Sequence, residues 1–182
     1  MSQFPLQLMM VLVTIFFFIL MLCVNEWLFS HGQYLPGINW IYLPAGVRLL
    51  STLLFGAAGA IGLLIVSWLV SFFYFFPNDF MRAFAGGIIA TVAPYGVYLV
   101  AQRAYGLRSS LANLSSARLL ICIIGCSLAS PLLHHIWFAI YEPPRPLLES
   151  FLVMAAGDLN GTLLVVYAAK MLLGLFPPQR MR

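Results

Sequence analysis

The sequence predicts an all-α fold: a polytopic integral membrane bundle of about six transmembrane helices, with both termini cytoplasmic. Three observations carry this. First, 63% of the 182 residues are hydrophobic and only 8% are charged, and the mean hydropathy is +0.99. A soluble domain with that composition lacks the polar residues to cover its outside. Second, apolar runs recur at close to the roughly 20 residues that one helical crossing needs. Third, the nine Lys and Arg and five Asp and Glu mostly flank those runs. The net charge of +4 therefore reports topology, not a nucleic-acid partner. There is no basic patch interleaved with aromatics and no phosphate- or dinucleotide-binding fingerprint, so neither nucleic acid nor a cofactor is expected.

The chain divides into one transmembrane domain, 1–182, with spans at about 6–24, 41–56, 58–76, 82–102, 117–138 and 149–176. The first run, Leu6 to Val24, is long for a signal-peptide core. It lacks a basic flank, and Asn25-Glu26-Trp27 is no small-residue cleavage site, so it is expected to stay attached. The loop from Asn25 to Trp40 carries Trp27, Tyr34, Trp40 and Tyr42 at its edges, the aromatic composition of a membrane interface. From Ile41 to Phe76 the chain is apolar almost without pause. As one helix this stretch would be about 54 Å long, too much for a single crossing. The cluster Gly56, Gly59 and Gly62 is therefore expected to mark a tight turn between two spans. The second of the six is short, and Leu43-Pro44-Ala45-Gly46 gives it an irregular entry, tolerated only against protein or a wet cavity.

Span four, with Gly86-Gly87 and Pro94, comes after the short loop Pro77 to Met81. Span five contains Pro131, His134 and His135, and the proline-rich loop Tyr141 to Pro146 is expected to be extended. Six spans put Arg103, Arg108, Arg118, Lys170, Arg180 and Arg182 on the side of the termini. Arg82, Arg145 and four acids, Glu26, Asp79, Glu142 and Glu149, fall on the other. The positive-inside rule makes the terminal side cytoplasmic.

Asp158 is the costly residue of this plan. It is the only acid between Phe151 and Phe176, and a carboxylate at the bilayer centre costs about 2.5–3.5 kcal/mol on insertion scales. Counting 1.5 Å per residue from the outer span ends puts Asp158 at about 13 Å depth, Arg48 at about 12 Å and His134 and His135 at about 10 Å. Arg48, His134, His135, Asp158 and the nearby Asn160 thus form a candidate ligand or ion-pair cluster in the outer half of the membrane. Either a register-fixing ion pair or a binding site accounts for Arg48 and Asp158, and the histidines fit either core packing or sensing. Asp158 and Asn160 point about 200° apart round their helix, so span six is expected to be enclosed and central. Gly56, Gly59, Gly157 and Gly161 are candidate helix-packing positions, because small residues let backbones approach closely.

No enzyme is expected. No Ser–His–Asp or Cys–His arrangement is pinned by spacing. Adjacent histidines on a helix point about 100° apart, which makes joint metal ligation with Asp158 awkward, so no metal is expected. Cys122 and Cys126 share a helix face among Ile, Leu and Gly and read as small core residues.

The stretch Trp40-Ile41-Tyr42-Leu43-Pro44-Ala45-Gly46-Val47, then Leu54-Phe55-Gly56, and later Gly157-Asp158-Leu159-Asn160-Gly161 resembles the first type of bacterial membrane-associated sensor domain. The resemblance covers roughly Asn25 to Lys170. It implies a multi-pass input module of the bacterial inner membrane that senses a signal, with Trp40, Pro44, Gly46, Gly157, Asp158 and Gly161 at family-motif positions. Members commonly carry a cytoplasmic kinase or cyclic-dinucleotide enzyme after the membrane part. Here twelve residues come after Lys170, so the expectation is a stand-alone module without an output domain. It would bind a small-molecule ligand and pass its state to separate membrane or cytoplasmic protein subunits. Two other functions fit the same features. One is a structural or assembly subunit of a larger membrane complex. The other is the substrate-binding component of a small-molecule transporter, since length and span number also resemble the binding subunits of energy-coupling-factor vitamin transporters. Those usually show an Ala-xxx-Ala face in the first span, where this chain has Phe16-Phe17-Phe18.

Overall fold

In the computed structural model the described residues are 4–35, 37–107, 114–142, 144 and 146–175, with the side chains of 173–175 excepted. Arg108, Arg145, Arg180 and Arg182, which enter the expected charge asymmetry, lie outside them, as do Pro143 and the tail from Phe176. The described chain is helical: α1 (Phe4–Phe29), α2 (Pro44–Phe55), α3 (Ala57–Val70), α4 (Phe80–Tyr105), α5 (Ser116–Tyr141) and α6 (Leu147–Leu175). One turn of π-helix, Ser71–Phe75, prolongs α3. A small antiparallel hairpin of β1 (Gln33–Leu35) and β2 (Ile38–Asn39) separates α1 from α2.

Local chemistry sets the helix ends. The Asp79 carboxylate accepts from Arg82 N at 3.0 Å to cap α4, and the Ser115 hydroxyl accepts from Arg118 N at 3.4 Å to cap α5. Gly106, at φ 57°, closes α4 in the left-handed conformation that a Cβ disfavours.

Among the described residues five helices are long and apolar enough to cross a membrane: α1, α3 with its π turn, α4, α5 and α6. The sequence predicts six spans, and α2 is the difference. Its 12 residues make about 18 Å of helix, short of the roughly 30 Å hydrocarbon thickness. It begins at Pro44 and not at Ile41. Proline fits the first helical turn, where its missing N–H costs nothing, and the amides of Tyr42 and Leu43 bond to α6 and α1 instead of into a helical ladder.

That short helix is the centre of the bundle. It packs against all five long helices, and nine of its 12 residues are buried. Its polar residues tolerate this because their hydroxyls bond backwards onto their own helix, Ser51 to Val47 O at 2.6 Å and Thr52 to Leu49 O at 2.9 Å. The sequence predicts span six in that central position. Instead α6 packs on α5, α2 and the hairpin and keeps an outward apolar row, including Leu148, Leu152, Leu164, Tyr167 and Met171, as a lipid-facing helix does.

Three apolar clusters tie the elements together. Leu49 and Leu53 of α2 meet Ala101, Cys122, Ile123 and Cys126, so both cysteines are core residues. Val47 meets Phe18, Leu63 and Val66. Ile38 of the hairpin meets Phe138, Val153 and Met154. The reversal between α2 and α3 falls at Gly56 alone, at φ 55°. Gly59 and Gly62 are close-approach positions inside α3: a Cβ on Gly59 would run into Ser51 O, and one on Gly62 would lie 2.8 Å from the Thr14 Cβ.

Gly59→Ala is therefore expected to destabilise the protein by about 1–3 kcal/mol or more, because backbone must move. Gly96→Ala, where a Cβ meets nothing within 4 Å, should be neutral or stabilising by up to about 1 kcal/mol. Unfolding in detergent measures both, and equal effects would contradict the packing described.

Candidate functional site

Between β2 and α2 the chain runs as irregular backbone, Trp40 to Leu43, among the helices. Such a segment in an apolar environment must have its amides and carbonyls satisfied by protein. Trp40 N donates to Gly32 O at 3.1 Å, and Tyr42 N donates to Gly157 O at 3.0 Å. Leu43 N donates to Asn25 Oδ1 at 2.8 Å. The Asn160 amide donates to Trp40 O at 3.3 Å. The Tyr42 and Leu43 carbonyls accept from Ala45 N and Gly46 N at 3.1 and 3.0 Å.

Two glycines of α6 make room for this. A Cβ on Gly157 would strike Asn39 O, and one on Gly161 would strike Tyr42 O. On the other side of the joint, a Cβ on Gly46 would lie 2.5 Å from the Val165 Cβ. The two motifs picked out in the sequence thus meet as one joint. The segment Trp40–Gly46 lies in a trough floored by Gly157 and Gly161, and Asn160 holds its edge.

The joint sets the buried charges. Arg48, one turn into α2, reaches Asp158 with Nη2 to Oδ1 at 3.5 Å, the side chains being 5% and 4% exposed. Its Nη1 donates to the Ser130 hydroxyl at 3.2 Å, and its guanidinium lies 5.0 Å from the Tyr42 ring centre. The ion pair is longer than the roughly 2.7–2.9 Å of a tight charge-assisted hydrogen bond. A cavity of about 80 Å³ opens beside it, lined by Asn39, Tyr42, Arg48, Ser67, His134 and Asp158 among others. Trp137, Phe76 and Arg82 also line it. Arg82 is held by Glu142 at 3.0 Å and lies 4.1 Å from the Phe76 ring centre, linking the start of α4 to the end of α5.

Of the five residues in the expected cluster, Arg48, His134 and Asp158 share this cavity. His134 donates from Nδ1 to Ser130 O at 2.8 Å, because a carbonyl can only accept, which leaves Nε2 as the acceptor of the neutral ring. His135 points elsewhere: Nδ1 donates to Pro131 O at 2.8 Å, Nε2 lies 2.9 Å from the Ser150 hydroxyl, and the ring packs edge-on against Phe151. Adjacent helical residues diverge by about 100°, so the two histidines cannot face one site. Asn160 is exposed and bonds Trp40 O, outside the cavity.

Sequence reasoning missed the residues that complete the site. Asn25, fully buried, is predicted as the start of a loop, but α1 continues to Phe29 around it. Asn39, Ser67, Ser130 and Trp137 carry no spacing signal. An amide in a hairpin, two hydroxyls in apolar helices and an interfacial indole are each unremarkable alone. At the hairpin, burial and the Glu149 carboxylate push the Tyr34 phenol above its usual range. Among the described residues no group of three or more His, Cys, Asp or Glu is placed to hold a metal ion.

No protein-family model matches the chain, and no curated protein or solved structure matches it either. The site's chemistry is therefore read from its own groups.

Removing one partner of a buried ion pair strands the other charge, which costs about 3–5 kcal/mol, whereas replacing both by apolar groups of similar size is often neutral. Asp158→Ala should thus lower unfolding stability in detergent by that order. Arg48→Met combined with Asp158→Leu should recover most of the loss, and simple additivity of the two single changes would contradict the pairing.

Proposed function

We propose that the chain is a non-catalytic, sensor-like or ligand-binding membrane module whose site is the cavity beside Arg48, His134 and Asp158. The observation that carries this reading is a set of buried polar atoms without hydrogen-bond partners among the described residues. Asn39 Oδ1, Arg48 Nε, Ser67 Oγ and Trp137 Nε1 are all in this state, and all four residues line the same cavity. Orphaned buried groups cost about 1–3 kcal/mol each, and their convergence on one space speaks for something that enters it.

A solute that engaged these groups would alter the loose Arg48–Asp158 contact, which joins α2 to α6. It shifts the module only through different affinity for two packings. In this reading α2 passes the change to the cluster around Leu53, Cys122 and Cys126, and α6 passes it along its length to a separate membrane or cytoplasmic partner. On the same reading the Trp40–Leu43 segment and α2 together make a sixth passage between the end of α1 and the start of α3, which keeps both termini on the side of the basic loops, the cytoplasmic side of a bacterial membrane. The likeness of the Trp40–Gly46 and Gly157–Gly161 stretches to membrane-associated sensor domains belongs to the same proposal.

One observation favours a second reading, a subunit of a larger membrane complex. An apolar groove between α4 and α5 is lined by Gly96, Val100, Gly125 and Ala129, and its small residues would let a partner helix approach.

Native mass spectrometry after gentle detergent extraction separates the two. The sensor-like reading expects a monomer or small homo-oligomer carrying a small-molecule adduct that is lost in the Arg48→Met, Asp158→Leu double variant. A stoichiometric complex with other chains and no adduct would overturn it in favour of the subunit.

A further inference from the structure

The cavity's own inventory narrows the chemistry of what it holds, and this step rests on the proposal that the cavity is a binding site. Its fixed charges are already matched, Arg48 by Asp158 and Arg82 by Glu142. An entering ion would leave water and meet no uncompensated opposite charge, a large desolvation penalty. What is unmatched is neutral in sum and mixed in kind. Arg48 Nε and Trp137 Nε1 are donors, Asn39 Oδ1 is an acceptor, and the Ser67 hydroxyl serves as either. His134 Nε2 adds an acceptor on the same wall. Asn39, Arg48 and Ser67 are 6%, 5% and 4% exposed, so bulk water does not serve them.

Size sets the other bound. A volume of about 80 Å³ holds on the order of three waters, at roughly 30 Å³ each, or one solute of comparable bulk. Aromatic rings of Tyr42, Phe75, Phe76 and Phe138 occupy much of the remaining wall. They favour a compact molecule with a small apolar part over a fully hydrated one.

We infer that the cavity recognises a small uncharged solute carrying both a hydrogen-bond donor and an acceptor, of the amide, urea or short polyol class, and discriminates against ions and zwitterions of the same size. Recognition comes from pairing otherwise orphaned buried groups. A solute lacking either function leaves some of them unpaired, the situation in which binding sites discriminate most strongly.

The Trp137 indole N–H reports on this directly. The four tryptophans are labelled with ¹⁵N in protein reconstituted in lipid nanodiscs, and the Trp137 signal is assigned with Trp137→Phe. Acetamide, urea and glycerol are then titrated, with glycine, acetate and methylammonium as the charged series. The expected result is a saturable shift of the Trp137 signal by at least one neutral probe. Every charged probe should bind at least about ten-fold more weakly, and Ser67→Ala, which removes only a hydroxyl, should weaken the neutral probe several-fold. Saturation by glycine, acetate or methylammonium at equal or lower concentration would overturn the solute class and leave the binding site standing. No saturation by any probe, with an adduct present in native mass spectra, would also overturn the class. No saturation together with no adduct would overturn both.

Discussion

The constraint on which this structure depends is the satisfaction of backbone polar groups in the irregular segment from Trp40 to Leu43. Those residues leave the hairpin and run between helices before Pro44 can start α2. In an apolar environment each unpaired amide or carbonyl costs several kcal/mol. The solution is distributed over two distant helices. Asn25 of α1 takes Leu43 N, Gly157 O of α6 takes Tyr42 N, and Asn160 covers Trp40 O. The bare faces of Gly157 and Gly161 allow the contact, since a methyl group at either would occupy the place of a carbonyl oxygen.

The joint shapes the rest of the bundle. Once the segment is seated on α6, α2 starts part-way into the bundle with nine of its 12 residues buried, Ser51 and Thr52 among them, and their hydroxyls bond the helix's own carbonyls. Arg48 is delivered one turn later beside Asp158. Buried ion pairs contribute little net stability compared with apolar packing, but they are costly to break. The pair therefore ties α2 to α6 without being a large source of net stability. The cavity beside it is walled by the hairpin, the irregular segment and Arg48 of α2 on one side and by α3, α4 and α5 on the others.

A common level along the helices was legible in the sequence and direction was not. A rise of 1.5 Å per residue is nearly independent of tertiary context, so counting from span ends aligns Arg48, His134 and Asp158, the three residues that share the cavity. Which way a side chain faces depends on where the neighbouring helices lie. His135 turns to Ser150 and Asn160 to the backbone of Trp40, a role that could be assigned only once the partner segment was known. The small residues at 157 and 161 announce a close approach, but helix against helix is the usual expectation, and here it is helix against extended chain. The start of α2 was hidden for a related reason. Ile41 to Leu43 is as apolar as the helix itself, and only the destinations of two amides separate it from α2. Asn25 shows the opposite error, a polar residue read as the start of a loop because its partner lies 18 residues away.

Amide hydrogen–deuterium exchange of the protein in lipid nanodiscs tests the seating of this segment most directly. Tyr42 and Leu43 lie outside any helix or strand, yet their amides should exchange as slowly as those of the buried α2 residues Leu49 and Leu53. Exchange at the rate of an open loop, with α2 itself protected, would contradict the joint between the Trp40–Gly46 segment and the Gly157–Gly161 trough.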